Sequence, residues 1–201
     1  MKNIVYQAYD GLYINLTNKC PCDCTFCERN IMDRVGDSDS LWLEHEPSFG
    51  EVIDAFNNYD VDKFSEIIFC GFGEPTERFD VLLEIAAYVK KTWNKKLRLN
   101  TNGLGSLVNG RNIAPDLSGL IDTVSISLNT PDPKSYLEIV KPKFGEGSFE
   151  ALLNFAEECT KYVPNVVLST VETTITKEQE KECAAICERI GARYRIREFE
   201  G

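Results

Sequence analysis

The stretch Leu12-Tyr-Ile-Asn-Leu-Thr-Asn-Lys-Cys-Pro-Cys-Asp-Cys-Thr-Phe-Cys27 joins a strand-like run to a loop that contains four cysteines. The run Leu12–Thr17 is mostly apolar or β-branched, which is typical of a buried strand. In the loop, Cys20, Cys24 and Cys27 have the spacing C-x3-C-x2-C, with an aromatic residue directly before the last cysteine. Three thiolates are one fewer than a [4Fe–4S] cluster usually takes, so one iron would keep a position for an outside ligand.

Outward from this stretch, short strand-like runs alternate with segments of helical periodicity. The strand candidates are Leu12–Thr17, Glu66–Cys70, Lys96–Asn100, Thr123–Leu128, Val166–Glu172 and Tyr194–Phe199. The helix candidates are Phe49–Tyr59, Phe79–Trp93, Phe149–Tyr162 and Lys177–Ile190, with a shorter one near Ile113–Leu120. Strands separated by helices predict parallel βαβ units. A complete eight-unit barrel takes about 250 residues. We therefore predict an α/β fold in which residues 1–201 form a single domain, an open partial (β/α)6 TIM-like barrel of parallel strands.

The composition of the chain argues against nucleic-acid-binding, membrane and secreted proteins. The chain has 201 residues, 43% of them hydrophobic, and a net charge of -10. An acidic chain is not expected to bind nucleic acid broadly, since that binding depends on Lys and Arg contacts to phosphates. No apolar run approaches the roughly 20 residues that span a bilayer, and the first residues lack the apolar stretch of a signal peptide. We expect a cytoplasmic protein without a membrane partner, in which eight cysteines indicate metal or redox chemistry more than disulfides.

Polar and glycine residues follow the strands, where parallel β/α folds gather their functional groups. Gly71-Phe-Gly-Glu-Pro75 comes after the second strand, where glycines let a ligand approach the backbone and Glu74 offers a carboxylate to an ammonium group. Asn100-Thr-Asn-Gly103 ends the third strand. Taken alone, either segment is an ordinary turn; their placement after successive strands favours a site.

The last three strands add further candidates. Ser125, Ser127 and Asn129 share one face of the fourth strand by its period of two, and the latter two lie nearer its C-terminal end. Glu172 ends the fifth strand. In the sixth, Arg193, Arg195 and Arg197 alternate on one face. They are interpreted either as an anion site, with Arg197 the best placed, or as charges that protect an edge strand from aggregation.

The cysteine spacing with Phe26, the Gly71–Pro75 motif and the order of the strand ends resemble the radical S-adenosylmethionine (SAM) superfamily. The resemblance covers nearly the whole chain. It implies a [4Fe–4S] cluster on Cys20, Cys24 and Cys27, whose open iron chelates the amino and carboxylate groups of SAM. It further implies reductive cleavage of SAM to a 5′-deoxyadenosyl radical that abstracts hydrogen from a substrate, with flavodoxin or ferredoxin as the electron donor.

The same resemblance assigns expected contacts to SAM. Phe26 is expected beside the adenine through its backbone. The residues expected to hold the SAM amino end are Gly71, Phe72, Gly73 and Glu74, although Phe72 departs from the family's small residue. The candidates for ribose or carboxylate contacts are Asn100, Asn102, Ser127, Asn129 and Glu172, with Arg197 added under the anion-site interpretation. Within the superfamily, Cys20-Pro-Cys-Asp-Cys24 and Lys141-Pro-Lys-Phe-Gly145 look like the small TatD-associated radical SAM proteins.

Other functions compete with this hypothesis. A zinc module would need four ligands, commonly from two pairs, and no second pair accompanies the loop. A non-catalytic iron–sulfur electron carrier would have no SAM pocket. Among enzymes, a glycyl-radical-enzyme activase would act on a protein and a heterocycle-forming synthase on a small molecule. The sequence does not name the substrate. The four remaining thiols could hold a second cluster, but we interpret them as small core residues: Cys70, Cys159, Cys183 and Cys187.

Overall fold

The computed structural model describes residues 3–198, which form one seven-stranded, mostly parallel sheet. The strands are β1 Val5–Ala8, β2 Gly11–Ile14, β3 Glu66–Phe69, β4 Lys96–Thr101, β5 Thr123–Ser127, β6 Asn165–Val171 and β7 Arg193–Arg197. They lie side by side in sequence order; β1 pairs antiparallel with β2, and every later pair is parallel. Within the described residues β1 and β7 are the sheet edges, so the barrel is partial and unclosed.

Helices cover one face of this sheet. They are α1 Phe49–Phe56, α2 Phe79–Thr92, α3 Gly105–Val108, α4 Pro133–Val140, α5 Ser148–Tyr162 and α6 Lys177–Ile190. Their starts are encoded locally: Ser48 and Glu51 form a reciprocal capping box on α1, and Thr176 and Gln179 form another on α6. None of the helices in residues 3–198 has the length and apolar character needed to cross a bilayer.

The two faces of the sheet differ in chemistry because side chains alternate along each strand. In β4, Leu97 and Leu99 are fully buried in the core between sheet and helices. Arg98 and Asn100 lie on the opposite face, which is the interior of the partial barrel. The apolar face drives packing of the helices, and the other face is left for a polar site.

The fold prediction is confirmed with corrections at particular elements. We predicted six parallel strands and missed β1, a four-residue strand joined to β2 by a two-residue turn with Tyr9 at φ 48°. We also missed α4, although Asp132 caps it and Pro133 occupies its first turn. The helix expected near Ile113–Leu120 is a single 3-10 turn, Ala114–Leu117. The last strand, predicted as Tyr194–Phe199, is observed as Arg193–Arg197, and Phe199 lies outside the described residues.

Candidate active site

A cavity of about 230 Å³ opens at the C-terminal ends of the parallel strands. It gathers residues that the sequence places far apart, from the cysteine loop to the end of β7. The predicted site residues that line it are Cys20, Cys24, Phe26, Cys27, Gly71, Phe72, Gly73, Glu74, Asn100, Asn102, Ser127, Asn129 and Arg197. Parallel β/α folds place ligands at this end of the sheet.

The cysteine loop is held against the end of α4. The backbone N–H of Asp23 donates to the carbonyl of Val140 at 3.1 Å, and Lys143 N–H donates to Pro21 O at 2.8 Å. Cys22 forms an isolated antiparallel bridge with Pro142. These bonds give the loop a defined shape although it has no regular secondary structure of its own.

The thiols of the loop differ in environment. Cys20, Cys24 and Cys27 are partly exposed to the cavity, whereas Cys22 is buried. A hydrogen bond from the Cys22 thiol lowers the pKa of both Cys20 and Cys24, and it raises the pKa of Cys22 itself. Burial raises the pKa of Cys27. The side chain of Cys22 therefore packs between two predicted ligands, and it lines the same cavity.

Gly71 and Gly73 are required by close packing against the cysteine loop and its strand. A Cβ atom on Gly71 would lie 2.1 Å from Oδ1 of Asn15, and one on Gly73 would lie 2.2 Å from the carbonyl oxygen of Thr17. The backbone N–H of Glu74 donates to the carbonyl of Lys19 at 2.8 Å. The Gly71–Glu74 segment thus clamps the residues that lead into the cysteines.

The carboxylate of Glu74 is buried and accepts four hydrogen bonds from the chain. Its Oε1 accepts from the N–H and the hydroxyl of Thr76 and from the Thr101 hydroxyl, the last at 2.7 Å. Its Oε2 accepts from the backbone N–H of Asn102 at 2.7 Å. Desolvation raises the pKa of Glu74, and these hydrogen bonds oppose that shift. Most of its acceptor capacity joins the ends of β3 and β4, while the expected contact of this carboxylate with a ligand ammonium stays a prediction.

Asn102 connects this network to the cysteines. Its side-chain Oδ1 accepts from Leu104 N–H at 2.8 Å, which directs Nδ2 toward Sγ of Cys20 at 3.8 Å. The strand-end amide therefore donates to a predicted cluster ligand.

Two amide oxygens in the cavity wall have no hydrogen-bond partner in the described structure. They are Oδ1 of Asn100 and Oδ1 of Asn129, both buried. Asn129 is only 3% exposed and has φ 65°, a left-handed conformation that Asn tolerates better than most residues. A buried acceptor without a donor costs free energy, so these atoms fit a ligand that brings N–H or O–H groups.

Two of the remaining candidate site residues, Arg197 and Glu172, differ in their position relative to the cavity. Arg197 lines the cavity, whereas Glu172 does not: its side chain is exposed beyond the end of β6. The physical reason is strand periodicity, since Ser169 and Val171 face the cavity and the next residue points elsewhere. Arg193 is exposed near the opposite end of β7.

The leftover thiols do not come together. Cys159, Cys183 and Cys187 are buried in the core on the helix side of the sheet, and Cys70 lies in the cavity on the other side. Sequence reasoning missed Cys70 as a cavity residue, although its place at the end of β3 was a usable signal. It also missed Ser169 and Val171, which an alternation count along β6 would have found.

Comparison with known proteins identifies the family. A family profile described as "Radical SAM superfamily" matches residues 14–194. The chain belongs to the radical SAM superfamily. Members of this superfamily are enzymes, and membership implies SAM and a [4Fe–4S] cluster as cofactors.

Individual relatives agree with the family and the fold. The "Probable GTP 3',8-cyclase" of Methanocaldococcus jannaschii is 28% identical over 201 residues, which cover 99% of this chain and 62% of that protein. Streptococcus suis SuiB bound to precursor peptide SuiA has a TM-score of 0.70 at 18% identity, covering 99% of this chain and 41% of that chain. Native anSMEcpe with bound AdoMet has a TM-score of 0.64 at 19% identity, and the match covers 94% of this chain and 50% of that chain. The radical SAM chain described here spans less than two thirds of each relative.

The residues of the cavity fit the implied cofactors. Cys20, Cys24 and Cys27 supply three soft thiol ligands at the mouth of the cavity, which is the donor set of a cluster with one open iron. In residues 3–198 no three or more His, Cys, Asp or Glu side chains converge on a single metal ion.

Proposed function

We propose that this chain uses Cys20, Cys24 and Cys27 to hold a [4Fe–4S] cluster and binds SAM in the adjoining cavity. The observation that carries the proposal is that these cysteines and the Gly71–Glu74 motif line one cavity at the strand ends. When bound, the cluster and SAM supply one-electron reductive cleavage to methionine and a 5′-deoxyadenosyl radical, which takes hydrogen from a substrate. The protein binds, orients and shields these groups.

The roles of the cavity residues follow from their chemistry. Backbone groups of Gly71, Phe72 and Gly73 receive the amino end of SAM, while Glu74 keeps this segment against the cysteine loop. The unpartnered Oδ1 atoms of Asn100 and Asn129 accept from ligand hydroxyl or amino groups.

Three further roles complete the proposed SAM site. Phe26, next to the last cysteine, would contact the adenine. Ser127 and Asn102, at strand ends, would contact the ribose and methionine parts. The guanidinium of Arg197 pairs with a carboxylate. All four line the cavity, and Glu172, exposed outside it, is withdrawn from the set.

The test is anaerobic reconstitution with iron and sulfide, followed by dithionite and SAM, with 5′-deoxyadenosine measured by chromatography. We expect product from the wild type and none from Cys24→Ala, with Cys159→Ala as the matched control because Cys159 is buried outside the cavity. Flavodoxin or ferredoxin should replace dithionite. An electron carrier or zinc module would release no 5′-deoxyadenosine.

The finer assignment we propose is the TatD-associated group. It rests on the Cys20–Cys24 sequence and on the Lys141–Gly145 loop. The structure supports a joint role for these two segments, since Cys22 bridges Pro142 and Lys143 donates to Pro21.

For the substrate, a heterocycle-forming reaction on a small molecule is favoured over activation of a protein. The observation in its favour is the 28% identity to the "Probable GTP 3',8-cyclase" over 99% of this chain. The test adds GTP, ATP or no nucleotide to the reconstituted protein. A heterocycle reaction of that kind predicts that one nucleotide increases 5′-deoxyadenosine formation and is itself consumed. Equal formation in all three would exclude these nucleotides as substrates.

A further inference from the structure

Cys70 is a thiol in the cavity that the proposed SAM site does not use. It follows β3 directly, lines the cavity and is partly exposed to it. Its backbone is fixed from two sides: Cys70 N–H donates to Ile14 O at 3.0 Å, and its carbonyl accepts from the Tyr6 hydroxyl at 3.3 Å. A side chain on so restrained a backbone has a defined place in the site.

The thiol at this place is protonated at neutral pH. Burial raises the pKa of Cys70 to about 11, while the neighbouring Asn100 amide and the positive charge of Arg197 act in the opposite direction. Such a group is a poor metal ligand and a poor nucleophile, because both functions need the thiolate. What a neutral thiol does offer is a hydrogen atom, since an S–H bond is weaker than the C–H bond an alkyl radical forms.

An independent observation points to a ligand in this cavity. Asn129 is 3% exposed, and its Oδ1 lines the same cavity without a hydrogen-bond partner among the described residues. Asn100, at the end of the neighbouring strand β4, hydrogen-bonds to Cys70 through its side chain and has a second unpartnered Oδ1. A ligand that donates to the Asn100 acceptor would lie near the Cys70 thiol, because the Asn100 side chain also hydrogen-bonds to that thiol.

The other cysteines do not share this position. Cys22 is engaged with Cys20 and Cys24 in the loop, and Cys159 lies on the helix side of the sheet. Cys70 is the thiol of the described chain that lines the cavity apart from the cysteine loop.

We propose that Cys70 is a catalytic hydrogen-atom donor to carbon radicals formed in this cavity. In the step, the S–H bond breaks homolytically and a C–H bond forms, so the carbon radical is quenched and the sulfur becomes a thiyl radical. One electron from the iron–sulfur or flavin protein that serves as reductant, and one proton from solvent, restore the thiol. The inference rests on the proposed function, because the carbon radical arises through SAM cleavage: it is the substrate radical during turnover and the 5′-deoxyadenosyl radical itself when no substrate is bound.

The experiment uses the reconstituted protein in D2O with dithionite and SAM, without substrate and without added thiols. The Cys70 proton exchanges with solvent, so wild type should produce 5′-deoxyadenosine with one deuterium, detected by mass spectrometry. In Cys70→Ser the O–H bond is too strong to donate, and in Cys70→Ala no donor remains. We expect the deuterated fraction to fall several-fold in both variants and to stay at the wild-type level in Cys159→Ser.

A second measurement does not depend on turnover. Alkylation of Cys70 by N-ethylmaleimide, followed by peptide mass spectrometry, should slow several-fold when S-adenosylhomocysteine is added to the cluster-loaded protein. Unchanged alkylation would overturn the placement of Cys70 beside the adenosyl ligand. Equal deuterium content in wild type and Cys70→Ser would overturn the hydrogen-donor role while leaving the proposed function intact. Absence of 5′-deoxyadenosine from wild type would overturn the proposed function and, with it, this inference.

Discussion

Nδ2 of Asn102 lies 3.8 Å from Sγ of Cys20, so the end of β4 donates a hydrogen bond to a predicted cluster ligand. The orientation is set by the chain, because the other side-chain atom, Oδ1, accepts from Leu104 and the Asn102 backbone donates to Glu74. Hydrogen bonds to the sulfurs are among the factors that set the potential of a cluster. The bond links the polar strand ends to the cysteine loop.

Removing this donor should make the cluster harder to reduce. For Asn102→Leu we expect the midpoint potential to fall by some tens of millivolts, since a lost hydrogen bond of about 1 kcal/mol corresponds to about 40 mV for one electron. Potentiometric titration followed by electron paramagnetic resonance measures it. Asn58→Leu is the control, because Asn58 bonds only to Ala55 far from the cavity. Equal potentials in the two variants would contradict a role for Asn102 at Cys20.

The Glu74 network predicts a stability effect. In Glu74→Gln an NH2 group replaces one carboxylate oxygen and faces donors from Thr76, Thr101 or Asn102. We expect the free energy of unfolding to fall by about 1–3 kcal/mol, the cost of a buried unsatisfied polar group. Urea denaturation of the protein measures it.

The exposed residue Glu84, on α2, provides the matched change Glu84→Gln, for which no loss is expected. If Glu74→Gln proved as stable as Glu84→Gln, the four hydrogen bonds would not be the main function of this carboxylate.

Cys22 is predicted to be dispensable for iron binding. It is buried and bridges Pro142, and three cavity-facing cysteines already fit the cluster. Cys22→Ser should keep about four irons per chain after reconstitution, whereas Cys24→Ala should lose most of them. Iron and sulfide analysis, together with the visible absorption spectrum, measures how much cluster each variant binds. Loss of iron from Cys22→Ser to the extent seen in Cys24→Ala would make Cys22 a ligand.

Arg197 and Arg193 lie on the same face of β7, and only Arg197 lines the cavity. If Arg197 pairs with the SAM carboxylate, Arg197→Gln should weaken SAM binding about tenfold or more, as expected for a charge-assisted hydrogen bond of about 1.5–3 kcal/mol. Calorimetry on the cluster-loaded protein measures it. Arg193→Gln should bind SAM as the wild type does. Identical affinities would favour the edge-strand interpretation instead.

The start of α1 should respond to acid. Hydrogen bonds from the backbone and hydroxyl of Ser48, together with His45, lower the pKa of Glu51 to about 2. A carboxyl with a lowered folded-state pKa stabilises the fold above its ordinary pKa, and this contribution is lost as the pH falls toward about 2. The difference in melting temperature between wild type and Glu51→Gln should therefore shrink on acidification from about pH 6 to about pH 3. A difference that stays constant would contradict the shift.

The sequence by itself determined the elements and the chemistry of the site. Period-two runs such as Lys96–Asn100 and helical runs such as Lys177–Ile190 predict the observed elements, because each signal lies within one segment. The cysteine spacing and the Gly71–Pro75 motif are also local. The short strand β1 was missed because its pattern is only four residues long, and helix α4 was missed although Asp132 and Pro133 mark its start.

Tertiary structure alone decided which side chains meet. Strand alternation and the position of each strand end put Arg197 in the cavity and Glu172 outside it. The buried carboxylate of Glu74 connects two other segments, because Thr76 and Asn102 both donate hydrogen bonds to it. Cys70 is a cavity thiol because it directly follows β3, where the strand ends meet at the cavity. Spacing along the chain determines which groups are available, and burial and direction in three dimensions decide which of them face a ligand.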